Sequence, residues 1–273
     1  MRYYVTSDIH GYYTPLKAAL TKAGFFEDTG PHKLVILGDL MDRGTEAAEL
    51  QQFVLDLMEK NLVILIRGNH EDLYELLVGP DRGTPYQQHI ANGTYDTVLQ
   101  LTGLDRAAAL QDPVAFANAG KQTPFYQKIM PAMRDYYETE RYVFVHGWIP
   151  CIARRGRYHP IGNWRAAGAN LWEQARWYNG IDAAQNSEEE KTVVCGHWHA
   201  SYGHAKYEKA GSEFGPDADF SPYCARRIIA LDACTAYSGL VNCVVLEDKE
   251  YEMETAASGS VSIRDKHNCL FES

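Results

Sequence analysis

Three short apolar runs near the start of the chain each stop at a polar, glycine-bearing turn, and the turns recur at a nearly constant interval. Arg2–Thr6 leads into Asp8-Ile9-His10-Gly11, Leu34–Leu37 into Gly38-Asp39-Leu40-Met41-Asp42-Arg43-Gly44, and Leu62–Ile66 into Gly68-Asn69-His70-Glu71. Asp8 and Asp39 stand 31 positions apart and Asp39 and Asn69 30, about one strand–helix–strand unit each time. The runs are short and aliphatic or β-branched, as buried parallel strands are. Between them, Pro15 with Leu16, Ala18, Ala19 and Leu20 predicts a helix ended by Gly24. Thr45–Lys60 predicts another, with Thr45 as its cap and Ala47, Leu50, Phe53, Val54, Leu57 and Met58 on one face. Parallel strands one unit apart deliver their carboxyl ends to a common edge, where such sheets carry chemistry. Asp8, His10, Asp39 and Asn69 are therefore expected to converge.

Later candidate strands end in the same way. Tyr142–Val145 precedes His146-Gly147, and Thr192–Cys195 precedes Gly196-His197-Trp198-His199. Arg227–Leu231 and Val241–Leu246 are further strands, and Tyr251–Thr255 and Ser260–Arg264 a final pair. Residues 72–140 break the rhythm with a Gly/Pro-rich stretch at Gly79–Pro85, followed by the Ala/Leu/Gln-rich segments Asp105–Ala119 and Lys121–Met133, which predict a mostly helical insertion beside the sheet. Ser201–Tyr223 reads as a long surface loop. No compositional break divides the chain, so one domain over 1–273 with this insertion is expected.

Carboxylate, imidazole and amide oxygen together suit a borderline or moderately hard divalent metal. Asp8, His10, Asp39, Asn69, His146 and His197, with His199 as an additional donor, exceed what one ion takes. They suit two ions about 3.5–4 Å apart, with Asp39 as the bridge, able to hold a hydroxide and clamp phosphoryl oxygens for in-line attack. Arg43, at a glycine-flanked turn, can contact a phosphate bidentately, and Arg67 is a second candidate contact. His70 directly follows a candidate ligand and can protonate a leaving oxygen if Asp42 orients its ring.

Charge limits the partners. With 26 Lys+Arg against 36 Asp+Glu, the net charge of −10 disfavours stable binding to nucleic acid or an anionic membrane. No run of about 18 apolar residues offers a membrane span. The start lacks the pattern of a secretory signal, and the six cysteines show no paired spacing, so they are expected reduced and mostly buried in a cytoplasmic protein.

Together, D-I-H-G, G-D-L-M-D-R-G, R-G-N-H-E, V-H-G and C-G-H-W-H resemble the calcineurin-like metallophosphoesterase superfamily. The D-R-G and G-N-H-E forms, with Leu231-Asp232-Ala233-Cys234 and Tyr237-Ser238-Gly239, are similar to the branch of serine/threonine protein phosphatases and symmetrical diadenosine tetraphosphatases. The likeness runs from Asp8 to about Leu246 and covers 72–140 weakly. It implies an α/β (α+β) fold, a four-layer αββα sandwich of two mixed β-sheets flanked by helices. It also implies two divalent ions, manganese or iron ahead of zinc, cobalt or nickel, and attack by a hydroxide bridging them. Asp8, His10 and Asp39 would hold the first ion, and Asp39, Asn69, His146 and His197 the second. His70 would be the general acid paired with Asp42, and Arg43 would bind phosphate. Two departures stand out. His197-Trp198-His199 replaces the branch's single histidine followed by Thr-Pro, and in the wider superfamily that second histidine, here His199, binds the first metal. Trp148 after His146-Gly147 would reshape the mouth of the site. Arg176 near Trp172 loosely matches a phosphate-binding arginine.

Each motif has an ordinary reading when taken alone. Glycine and aspartate build turns, Glu71 suits the first turn of a helix, and a lone His146 suits a core. Five motifs in order, each at a strand end, argue instead for a metal-dependent phosphoesterase, and the resemblance implies a phosphoprotein or a dinucleoside polyphosphate as its substrate. The alternative is a non-catalytic metal-binding scaffold or regulatory protein. His32, His89, His159, His204 and His267 are expected at the surface, with His204 the one that could border the site. Arg154, Arg155 and Arg157 read as a solvated loop before a rim that steers an acidic substrate. Trp164, Trp172 and Trp177 read as core or loop anchors before a stacking surface for a base.

Overall fold

In the computed structural model, residues 1–79, 86–155 and 157–249 are described. Strands β1 (Arg2–Thr6), β2 (His32–Ile36) and β3 (Val63–Leu65) follow the order read from the sequence, each parallel to the next. Next come β4 (Tyr137–Glu138), β5 (Tyr142–Phe144), β6 (Cys151–Arg154) and β7 (Arg157–Pro160). The last are β8 (Thr192–Cys195), β9 (Tyr223–Ala225), β10 (Ile228–Ala230) and β11 (Cys243–Glu247). One sheet has the order β11-β1-β2-β3, a second β4-β5-β8-β10-β9, and β6 and β7 form a separate hairpin. Both large sheets are mixed, because β11 is antiparallel to β1, β4 to β5 and β9 to β10, while β5, β8 and β10 run parallel.

Alternation of side chains along the strands builds the layers. Tyr3, Val5, Val35, Leu37 and Ile64 of the first sheet meet Phe144, Val194, Ile229 and Leu231 of the second in a core between the sheets. The neighbouring residues Tyr4, Leu34, Ile36 and Leu65 point the other way, onto helices. Those helices are α1 (Tyr13–Lys22), α2 (Ala47–Glu59), α3 (Asn69–Val78), α4 (Tyr86–Ala91), α5 (Thr94–Thr102), α6 (Arg106–Gln111) and α7 (Pro113–Lys121). Leu16, Leu20, Leu50, Val54, Tyr74 and Tyr95 are their principal buried residues there. On the far side, Val143, Val193, Cys195 and Ile228 meet Trp148, Trp164, Trp172 and Ile181. The layers are thus helix, sheet, sheet, helix, the sandwich that the resemblance implies.

Several boundaries moved. Helix α1 starts two residues before Pro15, which the first turn tolerates because its N–H groups lack helical partners anyway. Helix α2 starts at Ala47 with Glu46, not Thr45, at the cap position. The insertion is helical from α3 to α7 but ends in β4, two residues too short to show a pattern. Ser201–Tyr223 is not all loop, since Ala200–Gly203 and His204–Glu208 form helical turns before the open stretch. His89 and His204 are buried, which corrects their surface assignment: the His204 ring packs edge to face on Tyr223 and its Nδ1 meets Glu208 at 2.6 Å. His267 and the terminal strand pair lie outside the described residues. Among the described residues, no helix is long and apolar enough to cross a membrane.

Candidate metal centre

The turns after the parallel strands are unusually tight. Asp8, His10, Asp39, Asp42, Arg43 and His197 all take left-handed backbone, with φ from 51° to 76°. Such a residue other than glycine costs on the order of 1–3 kcal/mol, and such strain collects at functional sites. Asp and His are among the residues that tolerate this conformation best. Gly38, at φ +87°, permits a close approach, since a Cβ there would stand 2.6 Å from Gly68 Cα and 2.9 Å from His146 Nδ1. Pairing between the β1 and β2 exits continues past the strands, with His10 N–H donating to Asp39 O at 2.9 Å and Gly11 N–H to Leu40 O at 2.7 Å.

Glu71 joins the β2 and β3 exits. Its buried carboxylate accepts N–H groups from Asp39 (3.0 Å), Leu40 (2.9 Å) and Gly68 (2.7 Å). From the sequence it was only a helix-start acid, because nothing in its spacing reports a contact with a loop 31 residues earlier.

The donors gather around Asp39. His10 Nε2 lies 3.7 Å and His70 Nε2 3.9 Å from Asp39 Oδ2, and His146 Nε2 3.4 Å from Oδ1. Asp39 belongs to two groups that could hold an ion, one with His10 and His70 and one with His146 and His197. His146 Nδ1 lies 2.6 Å from the Leu37 carbonyl, so it carries the proton. Its Nε2 lone pair therefore faces Asn69 Oδ1 at 2.7 Å and Asp39 Oδ1 at 3.4 Å. Three acceptors turned on one another are repulsive unless a cation sits among them, so the donor set fits a metal. His10 is arranged likewise, with Nδ1 3.1 Å from the Met41 carbonyl and Nε2 left to face the cluster.

Electrostatics agree. Burial drives His10 and His197 well below the usual histidine range and lowers His146, keeping these rings neutral. Burial and neighbouring carboxylates push acids the other way, Asp8 to about 6 and Asp232 to about 8, with Asp39 and Glu71 also raised. A site short of positive charge has this signature.

From this cluster His70 reaches back to Asp42. His70 Nδ1 lies 2.7 Å from Asp42 Oδ2, and Asp42 also accepts from Thr94 Oγ1 (2.7 Å) and Thr97 Oγ1 (2.9 Å). Burial alone would lower His70, but Asp39 and Asp42 outweigh it and raise the ring to about 9. Arg43 reaches both histidines, with Nη1 2.9 Å from His10 Nε2 and Nη2 3.2 Å from His70 Nε2. Thr94 and Thr97 were missed because they come from the insertion, one turn apart on α5, where no motif marks them.

The remaining candidates lie around this centre. Asp8 accepts the His197 N–H at 3.0 Å and the Ser7 hydroxyl, tying the first sheet's rim to the second's. His199 turns toward a neighbouring loop, with Nδ1 3.4 Å from Glu213 and its ring 5.1 Å from Phe214. Arg67 pairs with Asp72 (2.7 Å) and Glu75, and Arg176 with Asp72 (2.7 Å) and Asp135 (2.6 Å), so the two arginines share a carboxylate.

Comparison with known proteins agrees with this geometry. The family model for calcineurin-like phosphoesterases matches residues 1–219. A bis(5'-nucleosyl)-tetraphosphatase PrpE [asymmetrical] of Bacillus velezensis is 32% identical over 133 residues, 46% of this chain and 51% of that protein. A symmetrical bis(5'-nucleosyl)-tetraphosphatase of Thioalkalivibrio sulfidiphilus is 38% identical over 78 residues, 29% of this chain and 27% of the relative. The chain thus spans about half the length, or less, of these curated relatives. A cold-active protein-tyrosine phosphatase of a psychrophile Shewanella sp. shares the fold, with TM-score 0.51 at 17% identity over 90% of this chain and 75% of that one. With the family model matched over most of its length and the strand-end motifs gathered around Asp39, the chain belongs to the calcineurin-like phosphoesterase family.

Proposed function

We propose that the protein is a dinuclear metal-dependent phosphohydrolase acting on dinucleoside polyphosphates. The observation that carries this is the cluster of acceptors around Asp39 beside a hydrogen-bonded acid dyad that such a cluster does not need. Asp8, His10 and Asp39 would hold one ion and Asp39, Asn69, His146 and His197 the other, with His199 as a further donor. Ions bound there would supply Lewis acidity toward water and the phosphoryl oxygens. The protein's own groups do the rest. His70 would protonate the departing oxygen from Nε2 once Arg43, 3.2 Å from that nitrogen, turns to the phosphate, while Asp42, fixed by Thr94 and Thr97, holds its Nδ1 side. Arg43, poised between His10 and His70, offers two N–H groups to a phosphoryl oxygen pair. Arg67 and Arg176 could join it only by exchanging Asp72 for phosphate.

A pure scaffold has no use for the His70–Asp42–threonine arrangement. The substrate class is supported by the tetraphosphatase relatives, which align over half the chain at most. The test supplies purified protein with manganese, iron, zinc, cobalt or nickel in turn and compares diadenosine tetraphosphate with a phosphopeptide. Faster turnover of the dinucleotide is expected. Preference for the phosphopeptide would overturn the substrate class, and no turnover of either with any metal would overturn the enzymatic function.

A further inference from the structure

His197 of the metal cluster belongs to a longer run of rings that also takes in His199. Trp177 lies 5.8 Å from His197, His197 6.1 Å from Trp198, and Trp198 6.4 Å from His199. The run continues through Phe214, 5.1 Å from His199, and Tyr237, 5.6 Å farther on, to Phe220. Among the described residues four Phe, Tyr or Trp side chains are exposed, and three of them, Trp177, Phe214 and Tyr237, are in this run. Scattered exposed apolar residues are ordinary, but a contiguous set joined to a candidate active site marks a binding surface.

The far end is built and held in place. Tyr237 Oη accepts the Gly215 N–H at 3.2 Å, Ser212 Oγ donates to the Phe214 carbonyl at 2.6 Å, and Asn242 Nδ2 donates to the Phe220 carbonyl at 2.7 Å. Phe214 and Tyr237 meet edge to face at 78° while staying 47% and 57% exposed, which leaves ring surface to the solvent. Charge says what can settle there. The segment from Glu208 to Phe220 carries Glu208, Glu213, Asp217 and Asp219 against Lys209 alone, so it repels phosphate and suits an uncharged, flat group.

We propose that Phe214 and Tyr237 form the platform on which a nucleobase of the substrate stacks while its phosphates lie at the Asp39 cluster. This rests on the dinucleoside polyphosphate reading of the same site and assigns residues to the base. Stacking of this kind tolerates any base, because every base has a π-face.

The Phe214→Ala/Tyr237→Ala double variant is compared with the native protein, both supplied with manganese. Calorimetric titration with AMP, ribose 5-phosphate and inorganic phosphate is set beside steady-state kinetics on diadenosine tetraphosphate. A stacking loss predicts AMP binding weaker by about tenfold and KM raised by about the same factor. Ribose 5-phosphate and phosphate binding should be unchanged, kcat should hold within about twofold, and Phe214→Trp should retain native AMP affinity. Equal weakening toward all three ligands, or unchanged AMP binding, would overturn the platform. If AMP binding depends on the rings but the native protein does not hydrolyse diadenosine tetraphosphate, the platform stands and the substrate reading falls. Turnover that is indifferent to the rings reverses that outcome.

Discussion

His70 stands within the Asp39 cluster, its Nε2 3.9 Å from Oδ2, yet its Nδ1 is held by the buried Asp42 at 2.7 Å, and that contact divides its role from its neighbours'. His70→Asn should leave bound metal unchanged by atomic emission while lowering kcat on alkyl phosphate esters by about 10²- to 10⁴-fold, the usual contribution of a positioned acid. Esters with good leaving groups should suffer less. The ring's titration offers a second check. Its value of about 9 lies above the ordinary 6.5, so the pairing with Asp39 and Asp42 contributes stability that is complete below 6.5 and disappears as pH rises through about 9. In chelated protein, Asp42→Asn should move the His70 ring resonance to a lower midpoint by NMR, and an unmoved midpoint would show that Asp42 does not govern it. At this scale the strand-end residues were legible because chemistry constrains residue type at a strand exit. Thr94 and Thr97 were not, since a threonine in a helix has many uses and only the fold shows them on Asp42. His89 was misplaced for the same reason: a single imidazole among Gln and Asn carries no periodic signal of burial.

Glu71 shows how elements, rather than residues, set the spacing of the centre. Its Oε2 accepts from Asp39 N and Gly68 N and its Oε1 from Leu40 N, so one side chain clamps the exits of β2 and β3. In Glu71→Gln the amide oxygen can still serve Asp39 and Gly68, but the amide N–H would confront the Leu40 N–H. One buried donor then goes unpaired, at a cost of about 1–3 kcal/mol. Glu71→Ala strands all three and should cost more than the glutamine variant, with weaker metal retention as the loops separate. Urea denaturation of the two variants checks the order, and equal midpoints would contradict the clamp. Parallel strands with their helices were readable because apolar periodicity and turn chemistry agreed along 1–70. The hairpin β6–β7 and the short strands β4 and β9 were not. β6 and β7 lie largely exposed, and β4 and β9 are two and three residues long, so none shows the alternation that burial imposes on a longer strand.

The whole molecule divides the centre between the sheets: Asp8, His10, Asp39 and Asn69 follow strands of the first, and His146 and His197 follow strands of the second. Folding therefore forces buried carboxylates together, and the pH dependence of stability should record it. Asp8 at about 6 and Asp232 at about 8 bind their protons more tightly in the folded chain than at the ordinary 3.8. Below 3.8 both states hold those protons and nothing is lost. As pH rises from there toward about 8, ionisation is harder in the folded state, so these two acids cost the chelated protein stability across that window. Glu138 and Glu189 act in the opposite sense, since hydrogen bonds and charge from Arg165 and their other donors outweigh burial and lower both. Their contribution is present above the ordinary carboxylate range and lost in acid, and the lowered His10, His146 and His197 likewise cost stability as pH falls below the ordinary 6.5, so the loss due to the raised acids stands clear only above neutrality. A divalent cation bound across the two sheets should reverse the alkaline loss, adding about 2.7 kcal/mol when present at about a hundred times its dissociation constant. Urea midpoints at pH 5, 7 and 8.5, with chelator and with manganese, test both halves. Asp232→Asn should flatten the chelated curve at its upper end without abolishing the metal's effect. Chelated protein equally stable at pH 7 and 8.5 would mean that the buried Asp232 is already compensated by the protein itself, and that this fold is not assembled around cations.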